Sequence, residues 1–576
     1  MKRRPLRRQP PSTAGAPPRE WPWGLAATAL ALLVYLPALR HGFIWDDPLV
    51  LEQLRAIHGL RELLLPPEIV PKYYYRPLIF LSFLLDRSLG GETPFWFHFS
   101  VVLAHGANTA LLWWLGVRLL GSASASALAA ALFAVHPIHV ESVAWIAGRS
   151  DVLAATLLLL SAAWLTHEQP RWTRSAAVAA YGLALFAKEA ALGALLILPL
   201  LALATGRRPS RQVLAALLAV TVSYLMLRRL ALGAAVTGFA SSATPAAALR
   251  DLLAALGFYT SKLLLPVNLS AYVPEVPAGW LSPALGLVTA LATAAAAGAA
   301  WRQDERVTAC LLAWFLVTLA PALAVIVRIS AQAPVAERYL YIPSIAACLL
   351  CGRLLVWLAA RRPSWLLPAR VAVLGLSAVF AVLCLARNRV WADDVLFWQD
   401  VAAKAPDYAL GHRELAMIYM NRNQLEAADM ALQRALAGKS DRDARVMTLN
   451  NAGNLYLRQQ RLDEAERMFN EGLKLHSHPY LHYGLGRLAM TRAEQAQARN
   501  DAQEVNRQVA EARAQLQRSL ALDPRSAKSQ VLLGQVLYSL GDRTGAREHL
   551  EQALRLDASA GVAGVARRYL QMLGAQ

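Results

Sequence analysis

Long apolar runs separated by short polar links fill residues 21–390, and beyond 390 the pattern turns amphipathic with a helical period. The runs lie at 21–39 and at about 94–118, 123–139, 151–166, 173–188, 190–205, 212–232, 281–300, 307–328, 338–359 and 366–386. About 20 apolar residues cross a bilayer as a helix, so the pattern predicts about eleven crossings, with the shorter runs between 151 and 205 the least defined. Before the first run stands a basic tail, 1–20, and the run lacks a small-x-small cleavage site, which predicts an uncleaved anchor with a cytoplasmic N-terminus. Basic links at Arg118, Arg171 with Arg174, and Arg207-Arg208 with Arg211 mark the same side. A further stretch, 251–267, carries Ser261 and Lys262 and is ambiguous. Keeping the basic link around Arg361-Arg362 in the cytoplasm requires it not to cross, which leaves the C-terminal region outside. The outer loop 41–94 contains an apolar helix, 78–89, that Asp86 and Arg87 interrupt. It is too short to span and is expected at the interface.

From Trp391 to the end, small and large helix-packing residues recur at the tetratricopeptide spacing. Leu415, Ala416, Tyr419, Ala428, Leu432 and Ala435 form one unit, and Gly453, Tyr456, Ala465 and Phe469 a second. A third starts at Tyr483 and Gly486, is interrupted by a Gln/Ala/Arg/Glu-rich insertion near 493–510, and resumes at Ala512 and Leu516. In the fourth, Ala546 and Leu550 each follow those residues by 34 positions. The fold class is therefore all-α: a polytopic membrane bundle, 21–390, followed by a tetratricopeptide-repeat α-solenoid, 391–576.

Composition agrees with this division. Of 576 residues 56% are hydrophobic and 17% charged, well below the soluble norm of about 25% charged. The formal charge of +19 sits largely in short links between apolar runs, where it encodes topology, so nucleic-acid binding is excluded. Cys310, Cys348, Cys351 and Cys384 all lie in apolar runs without metal spacing, and no disulfide framework is available.

Ionisable groups at membrane depth are costly and mark candidate function. Here they collect on the predicted outer side. Asp46 and Asp47 follow the first crossing, where one carboxylate can serve as a general base, and the sequence does not separate the two because neighbours titrate together. His136, His139 and Glu141, then Arg149 and Asp151, bracket one outer turn, Lys188 and Glu189 form the next, and Arg338 opens the tenth crossing. Each has an ordinary reading as an interfacial pair, a snorkelling cation or a satisfied core histidine, and no HExxH arrangement supports a zinc site. Their shared side argues for more. A carboxylate base beside Arg and Lys suits chemistry on a lipid-linked phosphate, where a hydroxyl loses its proton and a phosphate leaves as an anion.

The succession Trp45-Asp46-Asp47, Tyr75-Arg76-Pro77-Leu78, Pro94-Phe95-Trp96-Phe97-His98, His136-Pro137-Ile138-His139-Val140-Glu141-Ser142-Val143, Gly148-Arg149-Ser150-Asp151-Val152-Leu153, Lys188-Glu189 and Ala336-Glu337-Arg338-Tyr339-Leu340-Tyr341-Ile342-Pro343-Ser344 resembles the transmembrane and tetratricopeptide-repeat (TMTC) proteins. The resemblance runs nearly the whole chain, in order. It implies a membrane domain of the GT-C type, a protein O-mannosyltransferase activity, a polyprenyl-phosphate sugar as donor and Ser or Thr of exported proteins as acceptor. Carried onto this chain, Asp46 or Asp47 is the base. Arg76, Arg149, Lys188 and Arg338 are candidates for phosphate or sugar contacts, with His136, His139, Glu141, Asp151 and Glu189 nearby. A divalent cation (Mg or Mn) is left open. The Ala/Leu/Arg-rich composition and array of about four repeats look bacterial, which sets undecaprenyl phosphate and other hexoses beside dolichol and mannose and predicts an inner-membrane protein with extracytoplasmic repeats. Two other classes compete: a membrane-anchored repeat scaffold, which leaves the clustered charge unexplained, and a lipid-linked sugar transporter, which calls for charge distributed along a path.

Overall fold

The computed structural model describes residues 21–66, 74–167, 172–233, 244–326, 334–557 and 560–574. The basic tail 1–20, Tyr73 and Arg171 lie outside them. The chain separates into two compact units, Met1–Phe397 and Trp398–Gln576. Both are helical. Among the described residues, β pairing is confined to two isolated bridges, Val273 with Val335 and Tyr408 with Lys439.

The first unit opens with α1 (Trp21–Tyr35) and a 3₁₀ turn to Arg40, followed by α2 (Asp47–Arg55) and α3 (Pro77–Gly90), which do not span, with a single helical turn, Leu60–Leu64, between them. Next come α4 (Pro94–Leu120) and α5 (Ala123–Ala134). Pro137 stops α5, because it offers no N–H and disfavours a helical residue before it, and the chain bends by 51° into α6 (Val140–Ala144). Small side chains allow close packing here. Ala129 and Ala130 are fully buried, and Gly106 and Gly116 on α4 face Leu32 and Ser126. The bundle continues through α7 (Ser150–Leu165), α8 (Trp172–Ala187), α9 (Ala194–Ala204) and α10 (Arg211–Leu232). It closes with α11 (Pro245–Leu264), α12 (Leu281–Arg302), α13 (Arg306–Ile326), α14 (Tyr341–Arg361) and α15 (Leu366–Val390).

Among the described residues, eight helices are long and apolar enough to cross a membrane, or nine with the bent α5–α6 pair taken as one span. The other two of the eleven expected runs, α8 and the stretch Glu189–Ala204, are helical but shorter. At about 1.5 Å per residue, 16 residues reach about 24 Å, short of a 30 Å hydrocarbon core. The ambiguous stretch forms α11, which is not among the eight. It packs on α12 at Gly257 and Gly286, where a Cβ would come within 1.8 Å of the Ser282 carbonyl oxygen and 1.9 Å of the Leu253 carbonyl oxygen. Leu218, Leu291 and Leu374, on α10, α12 and α15, are exposed, as residues facing lipid must be.

The second unit stacks antiparallel helix pairs. These are α16 (Ala409–Asn421) with α17 (Leu425–Ala437), α18 (Arg442–Arg458) with α19 (Leu462–Leu475), α20 (Pro479–Ala498) with α21 (Ala502–Leu522), and α22 (Ala527–Ser539) with α23 (Arg543–Leu556), ended by α24 (Ala560–Gly574). The small residues of the motif are where rings enter. The Phe469 ring lies against both Gly453 and Gly484, where a Cβ would stand 2.5 and 2.4 Å from it. The insertion near 493–510 does not form a loop. It lengthens α20 and α21 to 20 and 21 residues, against 13 and 14 in the next pair.

Candidate active site

Asp46 and Asp47 start α2, where the first-turn N–H groups favour negative charge. Trp45 just before them has φ +54°, a left-handed backbone that costs a non-glycine residue roughly 1–3 kcal/mol. The ring is held in return. Trp45 stacks on Trp145 at 4.7 Å with 16° between planes, and the Phe397 ring lies 5.4 Å from it. This fixes the two carboxylates in opposite environments. Asp47 turns inward, is buried, and accepts hydrogen bonds from the backbone N–H of Ile44 (3.1 Å) and Ala147 (3.0 Å). Burial pushes its pKa up to about 7, against the pull of those two N–H groups and of Arg149. Asp46 is exposed and lines a cavity of about 330 Å³.

The same cavity is lined by Arg76, Lys188 and Arg338, with Tyr74, Phe80, Phe83, Trp145 and Tyr339 as its aromatic residues. Each cation already has a counter-ion. Arg76 grips Glu189 with two hydrogen bonds, 3.0 Å from Nε and 2.6 Å from Nη2, and lies over the Tyr74 ring. Lys188 pairs with Asp151 and faces the ring of Tyr339 at 5.0 Å. Arg338 pairs with Glu141, whose second oxygen accepts the Arg338 backbone N–H at 3.0 Å. The neighbours in sequence are thus not partners. Lys188 donates to Asp151 while Glu189 accepts from Arg76, and Glu337 accepts the Ser270 N–H at 2.8 Å instead of meeting Arg338.

Of the residues expected to act, Asp46, Arg76, Lys188 and Arg338 come to one cavity, while Glu141, Asp151 and Glu189 stand behind as counter-ions. Arg149 is elsewhere. Its guanidinium is 1% exposed, paired with Asp86, and donates to the Phe97 carbonyl at 2.8 Å while lying on the Phe83 ring. His136 reaches the Leu263 carbonyl at 3.0 Å, and His139 sits between the Phe133 carbonyl (2.9 Å) and Ser344 Oγ (2.8 Å). Neither lines the cavity. Among the described residues, no three His, Cys, Asp or Glu are grouped to hold a metal ion. Sequence reasoning missed Asp86 as a partner, although a lone acid inside an apolar helix was its signal. It also missed the aromatic walls, which carry no signal outside the fold.

Tetratricopeptide-repeat models match residues 445–477 and 527–559. Curated relatives include protein O-mannosyl-transferase TMTC2 of Mus musculus, 37% identical over 153 residues, which are 24% of this chain and 18% of that protein. Protein O-mannosyl-transferase Tmtc1 of Drosophila melanogaster is 37% identical over 149 residues, 24% of this chain and 17% of the relative. The chain is TMTC-like. It spans less than a fifth of the length of these relatives. Among solved structures, one described as the functional characterization of Pseudomonas aeruginosa pilF is 19% identical, with a TM-score of 0.24 over 32% of this chain and 82% of that one. With the TMTC likeness and eight helices fit to span, the chain is an integral membrane protein bearing tetratricopeptide repeats.

Proposed function

We propose that the chain is a membrane glycosyltransferase that moves a hexose, mannose by the likeness to its relatives, from a polyprenyl-phosphate donor to Ser or Thr of an exported protein. The observation that carries this reading is that Asp46, Arg76, Lys188 and Arg338 line one cavity. Asp46 is the base. It takes the acceptor hydroxyl proton as the oxygen bonds to the anomeric carbon. The bond from that carbon to the phosphate oxygen breaks, and the phosphate leaves with the electron pair. One displacement of this kind inverts the anomeric centre.

The internal pairing sets how the leaving phosphate is met. Net charge does little, because each cation is balanced by its own carboxylate. What remains are the side-chain N–H donors not spent on the carboxylates. Lys188 has three N–H bonds and the Arg338 guanidinium five, and each side chain pairs with its carboxylate through one nitrogen. The fork of Arg76 is committed to Glu189 and fixes the wall. Asp47 positions Asp46 by tying the start of α2 to Ala147. The repeats supply a surface for the protein acceptor.

The test is the intact mass of exported proteins from cells expressing wild type, Asp46→Asn or Asp47→Asn at matched levels. A hexose-sized increment that disappears with Asp46→Asn supports the reading. Identical masses in all three, with repeat-dependent partners still recovered, overturn it in favour of a scaffold.

A further inference from the structure

A second cavity, of about 470 Å³, lies where α7 and α9 end and α8 and α10 begin. The candidate active site occupies the other ends of α7 and α8, at Ser150 and Lys188. A 16-residue helix separates its ends by roughly 22 Å. The two cavities therefore face opposite leaflets, and the positive-inside pattern places this one in the cytoplasmic leaflet.

Its lining combines cations with apolar side chains. Arg174, Arg207 and Arg208 come together there with His167, and Trp164, Leu165, Ala202 and Val213 line the same cavity. Among the described lining residues there is no carboxylate. Positive-inside bias accounts for basic residues in these links. It does not account for arginines from two separate links meeting at one cavity. The 22-residue α10 adds the positive end of its dipole, starting from Ser210 in the same lining. Guanidinium forks and a helix N-terminus suit phosphate oxygens, and Trp164, Leu165 and Val213 suit the glycerol and first acyl carbons beneath.

We propose that this cavity binds one anionic phospholipid by its phosphate-bearing headgroup, in the leaflet opposite the transfer site. The assignment is independent of the glycosyltransferase reading, since it uses none of the same residues. The test is native mass spectrometry of the full-length protein in detergent, titrated with phosphatidylglycerol or with phosphatidylcholine of the same acyl chains. One phosphatidylglycerol is expected to bind at least about tenfold more tightly than phosphatidylcholine. The preference should fall severalfold in Arg208→Gln and vanish in the triple Arg174→Gln, Arg207→Gln, Arg208→Gln variant. Arg361→Gln, a basic substitution outside the cavity, should keep it. Equal binding of the two lipids by wild type overturns the proposal even if the triple variant does not fold, and so does a preference that survives in Arg208→Gln and the triple variant together. Inorganic phosphate that displaces the lipid at equal concentration would show the site to take free anions and would overturn the lipid assignment.

Discussion

Replacing Arg149 by Met tests whether the cations of this bundle divide into struts and contacts. The Arg149–Asp86 side chains are 1% and 6% exposed, and Arg149 also donates to the Phe97 carbonyl and to Ser82. Removing the guanidinium strands a buried carboxylate, which costs about 3–5 kcal/mol. The charge-free double variant, Asp86→Leu with Arg149→Met, strands nothing and should cost much less than the sum of the two single changes, a coupling of at least about 2 kcal/mol. Arg76→Gln is the contrast. Arg76 and Glu189 keep 19% and 28% of their side-chain surface exposed, so solvent screens that pair and its loss should cost about 1 kcal/mol.

The assay is thermal unfolding of the full-length protein in one detergent, paired with the mass increment on exported proteins. Arg149→Met should lower the midpoint by roughly 3–10 °C, Arg76→Gln by far less, and the double variant should recover most of the loss. Arg149→Met that melts with wild type but abolishes transfer would refute the division. It would return Arg149 to the substrate contacts that its place in Gly148-Arg149-Ser150-Asp151 suggested.

The two carboxylates should separate in the same assays. Asp46→Asn is expected to abolish transfer with little change in melting, whereas Asp47→Asn loses stability as well, because its amide offers one acceptor to the two N–H groups of Ile44 and Ala147, at about 1–3 kcal/mol. Asp47 also sets a pH dependence. Its carboxyl holds a proton up to about 7 when folded but only to about 4 when unfolded, so stability declines as pH rises between these values, and melting curves across that window should flatten in Asp47→Asn. Gly257→Ala drives a Cβ to 1.8 Å from the Ser282 carbonyl oxygen and should cost about 1–3 kcal/mol of stability, while Gly375→Ala, with nothing within 4 Å of the added carbon, should be neutral or stabilising by about 0.5–1 kcal/mol.

What the sequence could and could not reveal follows from where each constraint acts. Lipid imposes a length and a composition on every spanning helix, so the long runs were readable one by one. Α8 and Glu189–Ala204 were ambiguous because 16 residues satisfy composition without satisfying length. The repeats were readable because one helix-packing solution recurs at a fixed spacing, down to the glycines that receive Phe469. The insertion was readable as a break in the motif, but not the two longer helices that it forms. At the site, the accumulation of charge on one side was visible, since bilayer cost makes each such residue conspicuous.

Partnership was not visible. Arg338 finds Glu141 from 197 positions away, Arg76 finds Glu189 from 113, and Arg149 finds Asp86 from 63, distances that only the helix order closes. Residues adjacent in sequence, Lys188 with Glu189 and Glu337 with Arg338, diverge instead to different partners. The same geometry sets Asp46 and Asp47 apart, one exposed and one buried. Starting a helix turns consecutive side chains by about 100°, so one of an adjacent pair must face the protein when the other faces the cavity. The second Asp is the anchor that lets the first line the cavity.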